Sequence, residues 1–108
     1  MASEEIRELV RLAAAQRILF LPHAIRQMVR PERMIIQGEI RMVIELGDIV
    51  EDYPDDVRGH SCLLLGQGNL RRSVHVVCAP KETFLAIITA YLPSEEEWEQ
   101  DLRTRRTQ

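Results

Sequence analysis

An α+β fold is predicted for this chain, with N-terminal helices packed on a twisted antiparallel sheet of about four strands and a C-terminal helix. Three features of the sequence predict it. Apolar residues recur at helical spacing up to about residue 46; past Gly47 short runs of β-forming residues alternate with turn residues; and 108 residues, 45% hydrophobic and 29% charged, suffice for one core but not for two.

Each element has its own signal. Ser3 is expected to cap a first helix in which Ile6, Leu9, Val10, Ala13 and Ala14 share a face, with Glu4 and Glu5 favourable to the N-terminal dipole and an end near Gln16. Ile18 to Leu21 is a short apolar run compatible with an extended segment. Pro22 opens a second helix, where its missing N–H is not needed, and Pro31 stops it. A third helix is expected from about Gly38 to Leu46, with Gly47 as a left-handed terminator, so that three helices precede the sheet. Strands follow at Asp48 to Tyr53, Ser61 to Leu65, Ser73 to Ala79 and Leu85 to Leu92, and their short connections favour an antiparallel meander. Pro93 and Ser94 introduce a last helix, with Ser94 and Glu97 at capping-box spacing and Trp98 and Leu102 one turn apart. The whole reads as a single domain over 1–108, helical over 1–16 and loose at its tail, 104–108.

Composition narrows the function. No apolar run approaches the roughly 20 residues that cross a bilayer, and the start Met-Ala-Ser-Glu-Glu lacks the pattern of a secretion signal, so a cytoplasmic protein without membrane contact is expected. Cys62 and Cys78 sit among apolar residues at no zinc-binding spacing and read as buried, reduced thiols. A net charge of −3 argues against a surface that is basic throughout, yet Arg17, Arg26, Arg30 and Arg33 cluster, as do Arg71 and Arg72. Three histidines on separate elements give no metal signature, and no cofactor motif is present.

Two groups of residues carry candidate chemistry. On a helix from Pro22 to Arg30, His23, Arg26, Gln27 and Arg30 fall at i, i+3, i+4 and i+7, on one face. This stripe is either a phosphate-binding face or a solvated face whose arginines pair with the acidic stretch Glu51 to Asp56. His75 points to the opposite sheet face from Val74 and Val76. In a hairpin with a five-residue loop at Pro80 to Phe84, it would face Thr89, with Tyr91 one step further on the same side. Such a His, Thr and Tyr either move a proton near neutral pH or form a hydrogen-bonded structural cluster. His60 reads as a loop residue.

The ordered segments HAIRQM at 23–28, GDIVEDYPDD at 47–56, SCLLLG at 61–66, VHVV at 74–77 and IITAYLP at 87–93, followed by Trp98 to Arg106, resemble the prokaryotic family of domain of unknown function 4258 over roughly His23 to Arg106. The resemblance implies a RelE/ParE-like toxin fold, often encoded beside a zinc-finger antitoxin of the kind that partners MqsR toxins. The implied role is that of a toxin component: a metal-independent endoribonuclease acting on RNA by acid/base cleavage, with an antitoxin of zinc-finger or DNA-binding type as partner. The alternative is a non-catalytic protein-interaction module. The family's polar signature falls on His23, Arg26, Arg30, His75, Thr89 and Tyr91. On this reading His23, His75, Tyr91 and Thr89 are catalytic, and Arg26, Arg30 and Gln27 bind phosphate. Gln27 stands where many members carry Arg, and Pro31-Glu32 replaces the more usual residue before the third helix.

Overall fold

The computed structural model describes residues 2–107, with side chains from Glu4 onward; the capping role expected of Ser3 lies outside the described side chains. Among the described residues the order is α1 (Ala2–Gln16), β1 (Ile18–Phe20), α2 (Pro22–Met28), α3 (Gln37–Leu46), β2 (Asp48–Tyr53), β3 (Ser61–Gln67), a single 3₁₀ turn (Asn69–Arg71), β4 (Ser73–Pro80) and β5 (Leu85–Tyr91). The fold class is α+β, with three helices and one five-stranded sheet in the order β1-β5-β4-β3-β2. The four long strands form the antiparallel meander. The short run Ile18 to Phe20 adds a fifth strand, parallel to β5, which makes the sheet mixed and places a strand between the first two helices.

Alternation sorts the side chains. Ile6, Val10 and Ala13 of α1, Ala24 and Met28 of α2, and Ile40, Val43 and Ile44 of α3 pack on Cys62, Leu64, Val74, Val76, Cys78, Leu85, Ile87 and Ala90. Each of the larger side chains contributes about 1.5–3 kcal/mol by leaving water. Cys62 and Cys78 are Cα partners on this face, reduced and buried, with sulfurs 3.9 Å apart. No described helix is long and apolar enough to cross a membrane.

Several local expectations give way. Helix α2 ends at Met28, with Val29 as its C-cap, so Arg30 lies beyond the helix and the stripe shortens to His23, Arg26 and Gln27. The residue before a proline avoids helical geometry, which stops α2 short of Pro31. Gly47 is extended (φ −76°, ψ 171°), not left-handed. It is glycine because a Cβ there would lie 2.5 Å from the Val43 carbonyl oxygen and 2.7 Å from that of Leu65.

The largest departure is at the C-terminus. In place of a helix, Ser94 to Trp98 makes one turn and the chain then doubles back, with Trp98 bridged to Arg105. One turn is a costly nucleus, and burying Trp98 against the sheet outweighs extending it. Leu102, expected to pack with Trp98 along that helix, turns this returning segment, the C-terminal strap of residues 94–106, at φ +60°. Within the tail expected to be loose, Arg105 and Arg106 are held: the Arg106 amide donates to the Glu97 carbonyl, and both arginines bind carboxylates.

Candidate functional site

β4 turns His75 away from the helices, onto the face that the C-terminal strap crosses. His75 pairs directly with Tyr91, and Thr89 pairs with Val77. The expected His75–Thr89 pairing fails for two reasons. The hairpin closes at Pro80–Leu85, and a bulge between Val77 and Cys78 absorbs the extra residue, Ile88. Thr89 therefore sits half-buried, two pairs away from the imidazole.

His75 is 0% exposed, enclosed by Tyr91 and by the strap. The Trp98 ring meets it edge-on at 4.6 Å between centroids, and the Tyr91 ring does so at 5.3 Å. Its Nε2 lies 2.8 Å from the Leu102 carbonyl oxygen and its Nδ1 3.2 Å from the Tyr91 hydroxyl. A carbonyl only accepts, so Nε2 carries the proton. Burial lowers the imidazole's pKa, against the opposing pull of the Leu102 carbonyl and Glu51. The ring is therefore neutral, Nδ1 is a bare acceptor, and the Tyr91 hydroxyl donates to it. Burial also raises the Tyr91 pKa, with Arg105 and Arg33 pulling it down and Glu51 and Glu97 pushing it up.

The strap is latched by charge. Arg105 binds Glu51 through two contacts of 2.9 and 3.0 Å while its guanidinium lies 4.6 Å over the Trp98 ring. Tyr53 donates its hydroxyl to the same carboxylate. Burial would raise the Glu51 pKa, but the hydrogen bonds from Arg105 and Tyr53 outweigh it and hold the carboxyl low. The Tyr53 phenol is pushed up to about 12 by burial and by that carboxylate. Arg103 adds a 2.7 Å pair to Asp48.

A cleft of about 440 Å³ opens where α2, the end of β5 and the strap meet, lined by Gln27, Arg33, Tyr91, Glu97, Trp98 and Arg105 among others. Arg33 donates to the Gln27 side-chain oxygen at 2.8 Å, which fixes both at the rim. Other hollows flank α1, such as one beside Leu9, Leu12 and Pro80, but those lining side chains offer no histidine or tyrosine.

Of the residues singled out in the sequence, Gln27 and Tyr91 line this cleft and His75 lies beneath it. His23 and Arg26 are exposed on α2 and are not among its lining residues; Arg30 is exposed too, pairing with Glu32 at 2.9 Å. The acidic stretch expected to pair with those arginines is engaged elsewhere: Glu51 by Arg105, Asp52 by His60 and Asp56 by Arg58. Sequence reasoning missed Arg33, Glu97, Trp98 and Arg105 as site residues. The one available signal was the single Trp of the chain, set in a largely charged tail with arginines on its C-terminal side.

A family model described as domain of unknown function (DUF4258) matches residues 20–92. The chain belongs to this family. No curated protein and no solved structure matches it. The DUF4258 segment carries Gln27, Arg33, His75 and Tyr91, but it stops short of the strap, so Trp98, Leu102 and Arg105 lie outside the matched region.

Proposed function

We propose that this DUF4258 protein is an RNA-cleaving domain of the RelE/ParE-like toxin class, acting by proton transfer through its own side chains. The observation that carries the reading is the hydrogen-bonded relay of Tyr91, His75 and the Leu102 carbonyl, which opens into a cleft flanked by Arg33 and Arg105. Helices on one side of a largely antiparallel sheet are consistent with that fold.

In the proposed reaction the ribose 2′-hydroxyl gives its proton to the Tyr91 oxygen as the Tyr91 proton passes to His75 Nδ1. The 2′-oxygen bonds to phosphorus, the bond to the 5′-oxygen breaks, and water protonates the departing oxygen, leaving a 2′,3′-cyclic phosphate. Arg33 and Arg105 stabilise the charge that grows on phosphate, and Gln27 positions it. His75 thus acts through Tyr91, as a positioning and proton-accepting group that solvent does not reach. His23, Arg26, Arg30 and Thr89, the other residues of the family signature, are assigned to substrate approach along the outside of α2 and the sheet. The companion proposal is a toxin–antitoxin pair, with an antitoxin of zinc-finger or DNA-binding type.

The test is cleavage of RNA by the purified protein. Wild type is expected to leave cyclic phosphate ends, and Tyr91→Phe, which keeps the ring and its packing, to lose about 10²–10⁴-fold in rate. Uncut RNA, or equal rates for the two proteins, sinks the reading. In that event the second reading stands, a non-catalytic interaction module. It is favoured by the complete enclosure of His75, both of whose ring nitrogens are already bonded.

A further inference from the structure

Away from the cleft's relay, two loops are fastened together on one buried carboxylate. Glu39 is 0% exposed and accepts from the amides of Ile36 and Asn69 and from the Arg72 guanidinium. Arg72 also reaches across to the other loop, donating through Nη1 to the Arg33 carbonyl and through Nη2, which Glu39 shares, to the Met34 carbonyl. The loops at 33–36 and 69–72 therefore form one rigid unit.

That unit displays apolar side chains at a conformational cost. Met34 (φ +48°, 60% exposed) and Leu70 (φ +57°, 99% exposed) both sit in the left-handed region, which disfavours residues with long side chains, and Arg71 beside Leu70 does so as well. Val29 and Ile36 add further exposed apolar surface. A lone exposed Leu needs no explanation. Two strained, outward-pointing apolar residues on clamped neighbouring loops do, because neither gains burial in return. The ionic groups around them are unbalanced. Glu32 pairs with Arg30 and Glu39 is sealed inside with Arg72, while among the described residues Arg33 and Arg71 have no carboxylate within ion-pair distance. This gives a cationic, apolar surface on a chain whose net charge is −3.

We infer that these two loops are a docking surface for an acidic segment of a partner protein, with Met34 and Leu70 as anchors set between Arg33 and Arg71. An apolar side chain from the partner rests on the anchors while its carboxylates meet the guanidiniums. The inference is independent of the cleft's chemistry, because neither anchor lines it. Arg33 belongs to both regions, so an occupant of the loops would overhang the cleft mouth.

The experiment uses the full chain and a fluorescein-labelled helical peptide about 16 residues long, with Leu at i, i+3, i+4 and i+7 and Glu elsewhere. The controls are the same peptide with Lys for Glu, and an oligouridylate. The Glu/Leu peptide is expected to raise anisotropy on binding and to shift amide resonances at 33–36 and 69–72. The double variant Met34→Gly/Leu70→Gly is expected to weaken that binding at least about tenfold, with a melting temperature unchanged or raised by about 2–5 °C as strain is relieved. No binding by the Glu/Leu peptide, or equal binding by the Lys peptide, overturns the inference. It is overturned equally if the oligouridylate shifts those amides more strongly, if concentration-dependent self-association disappears in the variant, or if the variant melts well below wild type.

Discussion

Two glutamate–arginine pairs hold this molecule at opposite ends of the burial scale. Glu39 is sealed beneath its loops and meets four donors from Ile36, Asn69 and Arg72. Glu51 keeps 23% of its side chain accessible, and its partner Arg105 keeps 61%. A carboxylate without water must have every lone pair satisfied by protein, so Glu39 can only be a strut. A carboxylate in contact with water can lose its partner at small cost, so Glu51 and Arg105 form a latch that can open. The molecule thus has a fixed region, which carries the strained loops, and an adjoining openable one, which roofs the Tyr91–His75 relay.

The sharpest way to break that contrast is Glu39→Ala. It is expected to cost about 3–5 kcal/mol in urea unfolding, because Arg72 and two amides are left unpaired. A companion Arg72→Met should recover part of that loss, and a cost below about 1 kcal/mol would show that Glu39 is no strut. Glu51→Gln should cost far less, about 0.5–1 kcal/mol, and should act locally: the amides of Glu99 and Arg106, which bond within the strap, should exchange faster with solvent while the core strands do not. Exchange that rises across the whole sheet would mean the strap is part of the fold and not a latch.

The smallest effect concerns pH. Burial lowers the His75 pKa below its ordinary 6.5, so the unfolded chain takes up a proton that the folded chain refuses. This contribution to stability is complete above the unfolded value of 6.5. It is lost as pH falls from there toward the lowered folded value. Wild type should therefore lose more stability between pH 7.5 and 5.5 than His75→Gln does, by a fraction of the roughly 1.4 kcal/mol that one full pKa unit represents. Equal slopes would mean that His75 titrates alike in both states and is not enclosed in solution.

How much of this was legible depended on the range of the interaction. Strand β2 was read to the residue, and α3 to within one residue, because period and turn chemistry act over neighbours. The imidazole's face was read from alternation alone. The His75–Tyr91 pairing was not, since the hairpin's closure at Pro80–Leu85 and a bulge at Ile88 decide it together and nothing in the local sequence marks either. For the strap the sequence predicts a helix, because Ser94 and Glu97 carry a genuine helix-start signal, but it extends for only one turn. Arg105 was placed in a loose tail because its partners are far upstream, Glu51 most of all.

The sequence by itself determined the α+β class, the four long strands, the presence of the three helices among the described residues, the family, and the side of the sheet on which His75 stands. Each rests on contacts between residues close along the chain or on composition. Tertiary structure alone decided that three residues after α1 pair with β5, that Trp98 folds back to enclose His75, and that Gln27, Arg33, Tyr91 and Arg105 share one cleft. Those outcomes depend on surfaces that exist only once the sheet has formed. There the gain from burying a ring or pairing a charge outweighs what each short segment prefers alone.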